Sequence, residues 1–281
     1  MSTPVIQLSS KDYEFFEVML KDSSGLDLGK GKEYLLESRL TPLMKKANCA
    51  TLAEFAEHLR KKPDSRLTKA IADAMTTNES LFFRDGAPFE YFRKTLIPEI
   101  LKRNEQSRML RFWSAACSTG QEPLTIAICL LEAGVDPTKW RVEIVGTDFA
   151  DHALARAKEA TYSAFEVKRG LTPEHLTRFF EVTPTGEYKA KPMLRQWMHY
   201  RQLNLLEPYP EMGYFDVIFL RNVLIYFEVA KKKEILEKMR KRIAPGGLLF
   251  LGATETLLGL SESYERADRT VAAIYRPKAG T

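Results

Sequence analysis

Between Arg111 and Leu131 the sequence reads RFWSAACSTGQEPLTIAICLL. An apolar, aromatic run gives way to small side chains from Ser114 to Gly120, and an apolar-periodic segment begins near Pro123. That order predicts a strand, a tight loop and a helix. Small residues such as Ala115 and Gly120 let a ligand approach the loop backbone, and the helix behind them presents unpaired N–H groups to it. A nucleotide-like cofactor is therefore expected. The spelling is not the dinucleotide fingerprint, because only Gly120 is a glycine and Glu122 stands at the helix mouth. A fixed carboxylate there repels a pyrophosphate and pairs with an amino group. This favours S-adenosyl-L-methionine, a nucleoside carrying an amino acid and a sulfonium, over NAD.

From Leu110 onward the pattern alternates strand and helix, as in a doubly wound α/β sheet. Val142 to Gly146 is a short apolar strand with Thr147 and Asp148 at its end. An acidic residue there holds a ribose diol in such sheets, although Asp148 also stands where it could cap a helix from Asp151 to Ala160. Ribose binding is the preferred reading. Met198 to Leu205 returns to the sheet, and FDVIFL at 215 to 220 is a core strand followed by Arg221, Asn222 and Tyr226. Ligands of open α/β sheets lie beyond the carboxyl ends of the strands, so Asn204, Leu205, Arg221 and Asn222 are cofactor candidates. Ala230 to Ile243 reads as an amphipathic helix ending at Pro245, Gly246 and Gly247. Leu248 to Gly252 is a further strand, and Tyr264 to Ala267 with Val271 to Tyr275 form a closing antiparallel pair. Between Thr161 and Met198 the alternation breaks into helical pieces and a hairpin turned at TPTGEY.

Upstream, four helical patterns fill the first 75 or so residues: Ser9 to Leu20, Lys32 to Lys46, Thr51 to Arg60 and Ser65 to Met75. Pro42 falls inside the second and is expected to kink or restart it. Arg39, Lys45 and Lys46 lie away from that helix's apolar stripe, either as an ordinary solvated face or as a docking surface. TTNESLFFR at 76 to 84 combines Asn78, Ser80, two phenylalanines and Arg84, which suits a lid or a site wall; a capped helix start with buried rings is the plainer reading. Phe89 to Arg103 follows as one amphipathic helix bent at Pro98.

Composition narrows the function classes. The 281 residues carry 42 Lys and Arg against 37 Asp and Glu, a net charge of +5, which helps docking on an acidic partner without requiring nucleic acid. No signal peptide and no membrane-crossing run is present in the sequence, so a cytoplasmic protein without membrane insertion is expected. Three cysteines and four histidines show no ligand spacing, and no metal is expected.

Five separated motifs, TTNESLFFR, SAACSTGQEP (114 to 123), GTD (146 to 148), NLL (204 to 206) and FLRNVLIYF (219 to 227), together resemble the chemotaxis receptor methyltransferases, the CheR family, over nearly the whole chain. The resemblance implies a Rossmann-like class I methyltransferase domain, a small all-helical N-terminal domain and an inserted β-subdomain. It places a receptor-docking helical domain at 1–75, a linker or lid with a helix at 76–108, and a catalytic domain at 109–281 with its insertion near 178–198. The implied reaction transfers a methyl group from S-adenosyl-L-methionine to glutamate side chains on chemoreceptor cytoplasmic domains, giving methyl esters and S-adenosyl-L-homocysteine. Cofactor contacts carried over by motif fall on Asn78, Ser80, Arg84, Glu122, Asp148, Asn204, Leu205, Arg221 and Asn222. The catalytic pair falls on Arg84 and Tyr226, and receptor docking on the cationic second helix with Arg39, Lys45 and Lys46. Pro42 replaces a basic residue of some relatives, and VTPTGEYKAKPM has one glycine only, so no dependence on a receptor-tethered peptide is expected. A monomer is expected. The competing readings are a catalytically idle cofactor-binding scaffold and a methyltransferase for another substrate such as nucleic acid; the absence of a basic stripe with interleaved aromatics opposes the latter.

Overall fold

The computed structural model describes residues 8–29, 31–267 and 273–278. The chain divides into two compact units, 1–77 with 226–231, and 78–225 with 232–281.

The first unit is built on α1 (Ser10–Ser24), α2 (Glu33–Lys46), α3 (Leu52–Lys61) and α4 (Ser65–Met75). Each boundary has a local cause. The Ser9 hydroxyl accepts the Asp12 N–H and Gly25 closes α1 at φ 73°, while Thr51 and Asp64 accept the first free N–H groups of α3 and α4. Phe16, Leu20, Leu36, Leu40, Phe55, Leu59 and Ile71 are buried, the periodic apolar positions of the four helices. Contrary to expectation, α2 runs unbroken through Pro42. Pro42 and Ser38 lie on the exposed face, where water can take the Ser38 carbonyl that the ring leaves unbonded. The returning segment joins this unit through the Asp27 N–H, which donates to the Tyr226 carbonyl, and through Lys21, 2.7 Å from Glu228.

The second unit opens with α5 (Ala87–Tyr91), a π-turn at Phe92–Leu96 and α6 (Ile97–Arg103). The expected single helix bent at Pro98 is thus interrupted one turn earlier. Pro98 sits in the first turn of α6, directly after the π-turn. There follow β1 (Met109–Ala115), α7 (Gln121–Glu132), β2 (Arg141–Asp148), α8 (Asp151–Glu159), β3 (Thr161–Tyr162), α9 (Ala164–Lys168), α10 (Pro173–Phe179), β4 (Phe180–Val182), β5 (Tyr188–Ala190) and α11 (Pro192–Arg195). The chain continues through β6 (Met198–Gln202), β7 (Phe215–Leu220), α12 (Val229–Arg240), β8 (Ile243–Leu251), β9 (Tyr264–Arg266) and β10 (Ile274–Pro277).

The main sheet has the order β6-β2-β1-β7-β8-β10-β9. Its first five strands run parallel, and β10 and β9 close it antiparallel. Of the closing pair, Val271 lies outside the described residues. Strand order reverses between β1 and β7, which opens a crevice at their carboxyl ends. Pro123 to Leu130 of α7 are buried all round, as expected of a helix enclosed on every side. Phe89, Phe92, Phe112, Phe219 and Phe250 form an aromatic core, with Phe92 edge-on to Phe219 at 5.4 Å and Phe219 against Phe250 at 4.9 Å.

Two further expectations are corrected. Pro245 to Gly247 do not end α12, which stops at Arg240; they lie inside β8, where the pairing with β7 slips between Phe215 and Val217. The hairpin β4–β5 is joined by β3 into a three-stranded sheet, β3-β5-β4. A two-residue strand carries too little pattern to be read alone. Among the described residues no helix is long and apolar enough to cross a membrane.

Candidate functional site

The crevice lies where β1, β2 and β7 end. Parallel pairing sets Ala115 beside Thr147 and Ser114 beside both Gly146 and Phe219, so the residues just past these strands converge. The loop from Ala116 to Gly120 leaves β1 through left-handed backbone at Ala116 (φ 64°), Ser118 (φ 51°) and Gly120 (φ 94°). At Gly120 only glycine fits. A Cβ there would lie 2.9 Å from the Ala157 Cβ and 3.0 Å from the Tyr162 hydroxyl, and the backbone is strained for any other residue.

Asp148 ties this loop down. One carboxylate oxygen accepts the Ser118 N–H at 2.8 Å and the other the Ala150 N–H at 2.9 Å. The N-cap position of α8 falls on Ala150, two residues beyond Asp148. The Ser118 hydroxyl donates to the Asn78 carbonyl at 2.8 Å, which brings the TTNESLFFR segment to the loop, and the Asn78 amide lies 3.1 Å from the His152 ring. Leu203 donates its N–H to the Asp148 carbonyl, so the turn carrying Asn204 and buried Leu205 starts at the same strand end. The Asn204 side chain accepts the Leu206 N–H, and the Leu205 carbonyl accepts from Tyr209 and Lys238.

Glu122 is the second carboxylate of the crevice. It accepts the Ser114 hydroxyl at 2.7 Å and the Arg221 guanidinium at 3.1 Å. Arg221 is 6 % exposed and also donates to the Arg84 carbonyl and the Asp85 carboxylate, each at 2.8 Å, while its guanidinium lies over the Phe89 ring. Among the described residues its Nε is buried without a partner. Arg221 thereby fastens the end of the TTNESLFFR segment to the first turn of α7. Arg84 itself is half-buried and donates to the Glu79 carbonyl at 3.3 Å, and Ser80 is half-buried beside it in the chain.

The two phenylalanines of the segment have separate tasks. Phe82 is buried edge-on to Tyr162, whose hydroxyl donates to the Thr119 carbonyl, so the ring pair braces the loop from behind. Phe83, at φ 48°, donates its N–H to the Thr125 hydroxyl and stacks on His175 at 5.0 Å. The Cys117 thiol is pushed well up by burial and then by the carboxylates of Asp148 and Glu122, which leaves a neutral, inert sulfur.

The expected cofactor residues Asn78, Ser80, Arg84, Ala115, Gly120, Glu122, Asp148, Asn204, Leu205, Arg221 and Asn222 all belong to the second unit. Arg39, Lys45, Lys46 and Tyr226 belong to the first. Arg39 is half-buried and donates to the carbonyls of Met75 and Thr76, whereas Lys45 and Lys46 are exposed. Ser114, Asp85, Ser118, Tyr162 and Glu255 were not foreseen. Glu255, beyond the end of β8 at Leu251, does not share the pattern that singles out Asp148, which closes β2 itself.

The arrangement fits an adenosyl amino acid. Two fixed carboxylates, Asp148 at the end of β2 and Glu122 in the first turn of α7, suit hydroxyl and ammonium donors; a carboxylate offers about four acceptor sites, and the loop between them brings backbone rather than bulk to a ligand. Among the described residues no cluster of His, Cys, Asp and Glu could hold a metal ion.

Comparison with known proteins agrees. Residues 11–76 match the all-alpha domain of CheR methyltransferases and residues 78–273 match the CheR methyltransferase S-adenosylmethionine-binding domain. The chain is 40 % identical over 270 residues to chemotaxis protein methyltransferase Cher2 of Pseudomonas putida, covering 95 % of this chain and 98 % of that one. It is 40 % identical over 273 residues to chemotaxis protein methyltransferase 1 of Pseudomonas aeruginosa (96 % and 99 %) and 38 % over 278 residues to a chemotaxis protein methyltransferase of Vibrio parahaemolyticus (97 % and 99 %). With both domains matched in order along nearly its full length, the chain belongs to the CheR methyltransferase family.

Proposed function

We propose that this protein methylates glutamate side chains on the cytoplasmic domains of chemoreceptors, using S-adenosyl-L-methionine, and that it works in the cytoplasm as a monomer. The observation that carries the reading is the pair of carboxylates, Asp148 and Glu122, fixed at the ends of β2 and the start of α7 on either side of the small-residue loop.

S-adenosyl-L-methionine, when bound, supplies a methyl group activated on a sulfonium. Asp148 accepts the ribose hydroxyls and Glu122 receives the ammonium end, with Asn78, Ser80, Asn204, Leu205, Arg221 and Asn222 around them. Arg221 acts through Glu122, since it orients that carboxylate and lowers its net charge. A glutamate substrate has a pKa near ~4.3 and is already an anion at neutral pH, so the reaction needs no strong general base. It needs alignment. Holding the carboxylate in line with the methyl–sulfur bond lowers the entropic part of the barrier, and excluding water strengthens each polar contact. Arg84 holds the incoming carboxylate. Too tight an arginine pair would damp the nucleophile, which favours a moderately exposed Arg84. Docking falls to the exposed lysines Lys45 and Lys46, with Arg39 shaping the helix they stand on.

Incubation with methyl-labelled S-adenosyl-L-methionine and a receptor cytoplasmic fragment should give incorporation that mild alkali releases. Label that survives alkali would mean methylation of nitrogen and would overturn the glutamate assignment.

A further inference from the structure

A carboxylate outside the expected set organises one side of the crevice. Glu255 lies just beyond β8 and is 8 % exposed. One of its oxygens accepts the N–H groups of Asn222 and Gly252, both at 2.7 Å, and the other accepts those of Val223 at 3.0 Å and Leu224 at 2.8 Å. Three consecutive N–H groups thus converge on one side chain. Such convergence needs a residue in left-handed backbone, and Asn222 supplies it at φ 57°. A non-glycine residue in that region is strained and persists only where its surroundings hold it there. The Glu255 carboxylate is what holds it, because without that anion the buried N–H groups would point at one another's dipoles with no acceptor between them.

Gly252 completes the arrangement. A Cβ at this position would lie 2.5 Å from the Asn222 Nδ2 and 2.9 Å from the Asn222 N, so the amide of Asn222 rests directly on a bare α-carbon. Backbone and side chain of Asn222 are therefore both set from the turn that follows β8: the backbone by Glu255, the side chain by Gly252. Asn222 follows Arg221 at the end of β7, next to the switch point of the sheet, where a ligand amide contact has to be placed to within a few tenths of an ångström to count.

We propose that Glu255 is a positioning residue for the methyl donor, acting through Asn222 and the turn from Asn222 to Leu224. The proposal rests on the methyltransferase reading above. Glu255 does not touch the reacting groups; it fixes the backbone conformation from which Asn222 reaches the donor. Its negative charge is spread over four N–H dipoles, and a glutamine of the same shape cannot replace it. The glutamine amide nitrogen is itself a donor and would face two of the four N–H groups.

The test uses the full chain and four variants: Glu255→Gln, Asn222→Ala, the double variant and Gly252→Ala. Binding of S-adenosyl-L-homocysteine is followed by calorimetry and methylation of a receptor fragment by label release. For Glu255→Gln the product dissociation constant should rise about ten- to hundredfold, the scale of leaving backbone N–H groups without their acceptor. The KM for the donor should rise with it, and the KM for the receptor fragment should stay unchanged. In the Asn222→Ala background, Glu255→Gln should add little, since the effect passes through Asn222. Gly252→Ala, which leaves the carboxylate intact, should weaken donor binding in the same way and provides the readout if Glu255→Gln folds poorly. Unchanged product affinity in Glu255→Gln and Gly252→Ala, with loss of thermal stability alone, would overturn the proposal, as would penalties that simply add in the double variant. Failure of the unmodified protein to bind the product would instead overturn the methyltransferase reading itself.

Discussion

Arg221 and Glu122 meet 3.1 Å apart at the joint between the end of β7 and the first turn of α7, and the same guanidinium reaches the Arg84 carbonyl and the Asp85 carboxylate. One cation therefore joins three segments that are distant in sequence. Its side chain is 2 % exposed, so removing it would leave the Glu122 carboxylate, 12 % exposed, unpaired in a poorly solvated place. Arg221→Leu is expected to lower stability to chemical denaturation by about 3–5 kcal/mol, the usual cost of breaking a buried pair from one side. Arg221→Lys should recover only part of this, because a single ammonium cannot span the three partners.

Gly120→Ala should be costly in two ways. The residue stands at φ 94°, and its Cβ would press on Ala157 and Tyr162 behind the loop. A loss of about 1–3 kcal/mol in unfolding free energy is expected from the backbone conformation. The displaced loop should also weaken product binding, measured by calorimetry. Undiminished affinity would mean that the loop does not line the donor site.

Methyl transfer to a carboxylate should show a simple pH profile. The substrate glutamate is ionised above about pH 5, and the Cys117 thiol beside the crevice is held neutral, so no group of this kind adds a second limb at neutral pH. Single-turnover rates with a receptor fragment should be flat from about pH 6 to 8 and fall below about pH 5. A rise of tenfold per pH unit through neutrality would show that a general base is required.

Asp12 gives the helical unit an acid-sensitive tie. Its pKa is held below the ordinary carboxylate value, first by the Ser9 hydroxyl and, against the opposing effect of burial, by Arg60 at 2.8 Å. A folded pKa below the unfolded one means that the contribution is complete above the unfolded value of about 3.9 and disappears as pH falls through the folded value. Asp12→Asn should therefore lower the melting temperature at pH 7 and make a smaller difference near pH 3, below the unfolded value of about 3.9. An equal loss at both pH values would assign the effect to packing.

How much of this was legible before the structure depends on the range of the interaction. The strand–loop–helix order at 109–132, the acidic strand end at Asp148 and the four N-terminal helices follow from periodicity and from turn and cap residues, all of which act within a few positions of one another. The π-turn at 92–96 and the continuity of α2 through Pro42 were misread for the opposite reason. Both depend on how each helix is packed and solvated, and a proline in the sequence does not report that.

Residue order alone marks which strand ends hold small residues and carboxylates, because such residues placed just after apolar runs are visible one residue at a time. Which of those groups hold one another is fixed by the folded chain instead. Arg221 is bound to Glu122 across 99 positions and Glu255 to Asn222 across 33. Such pairings exist only once parallel strands align their ends, and no periodicity along the chain encodes them.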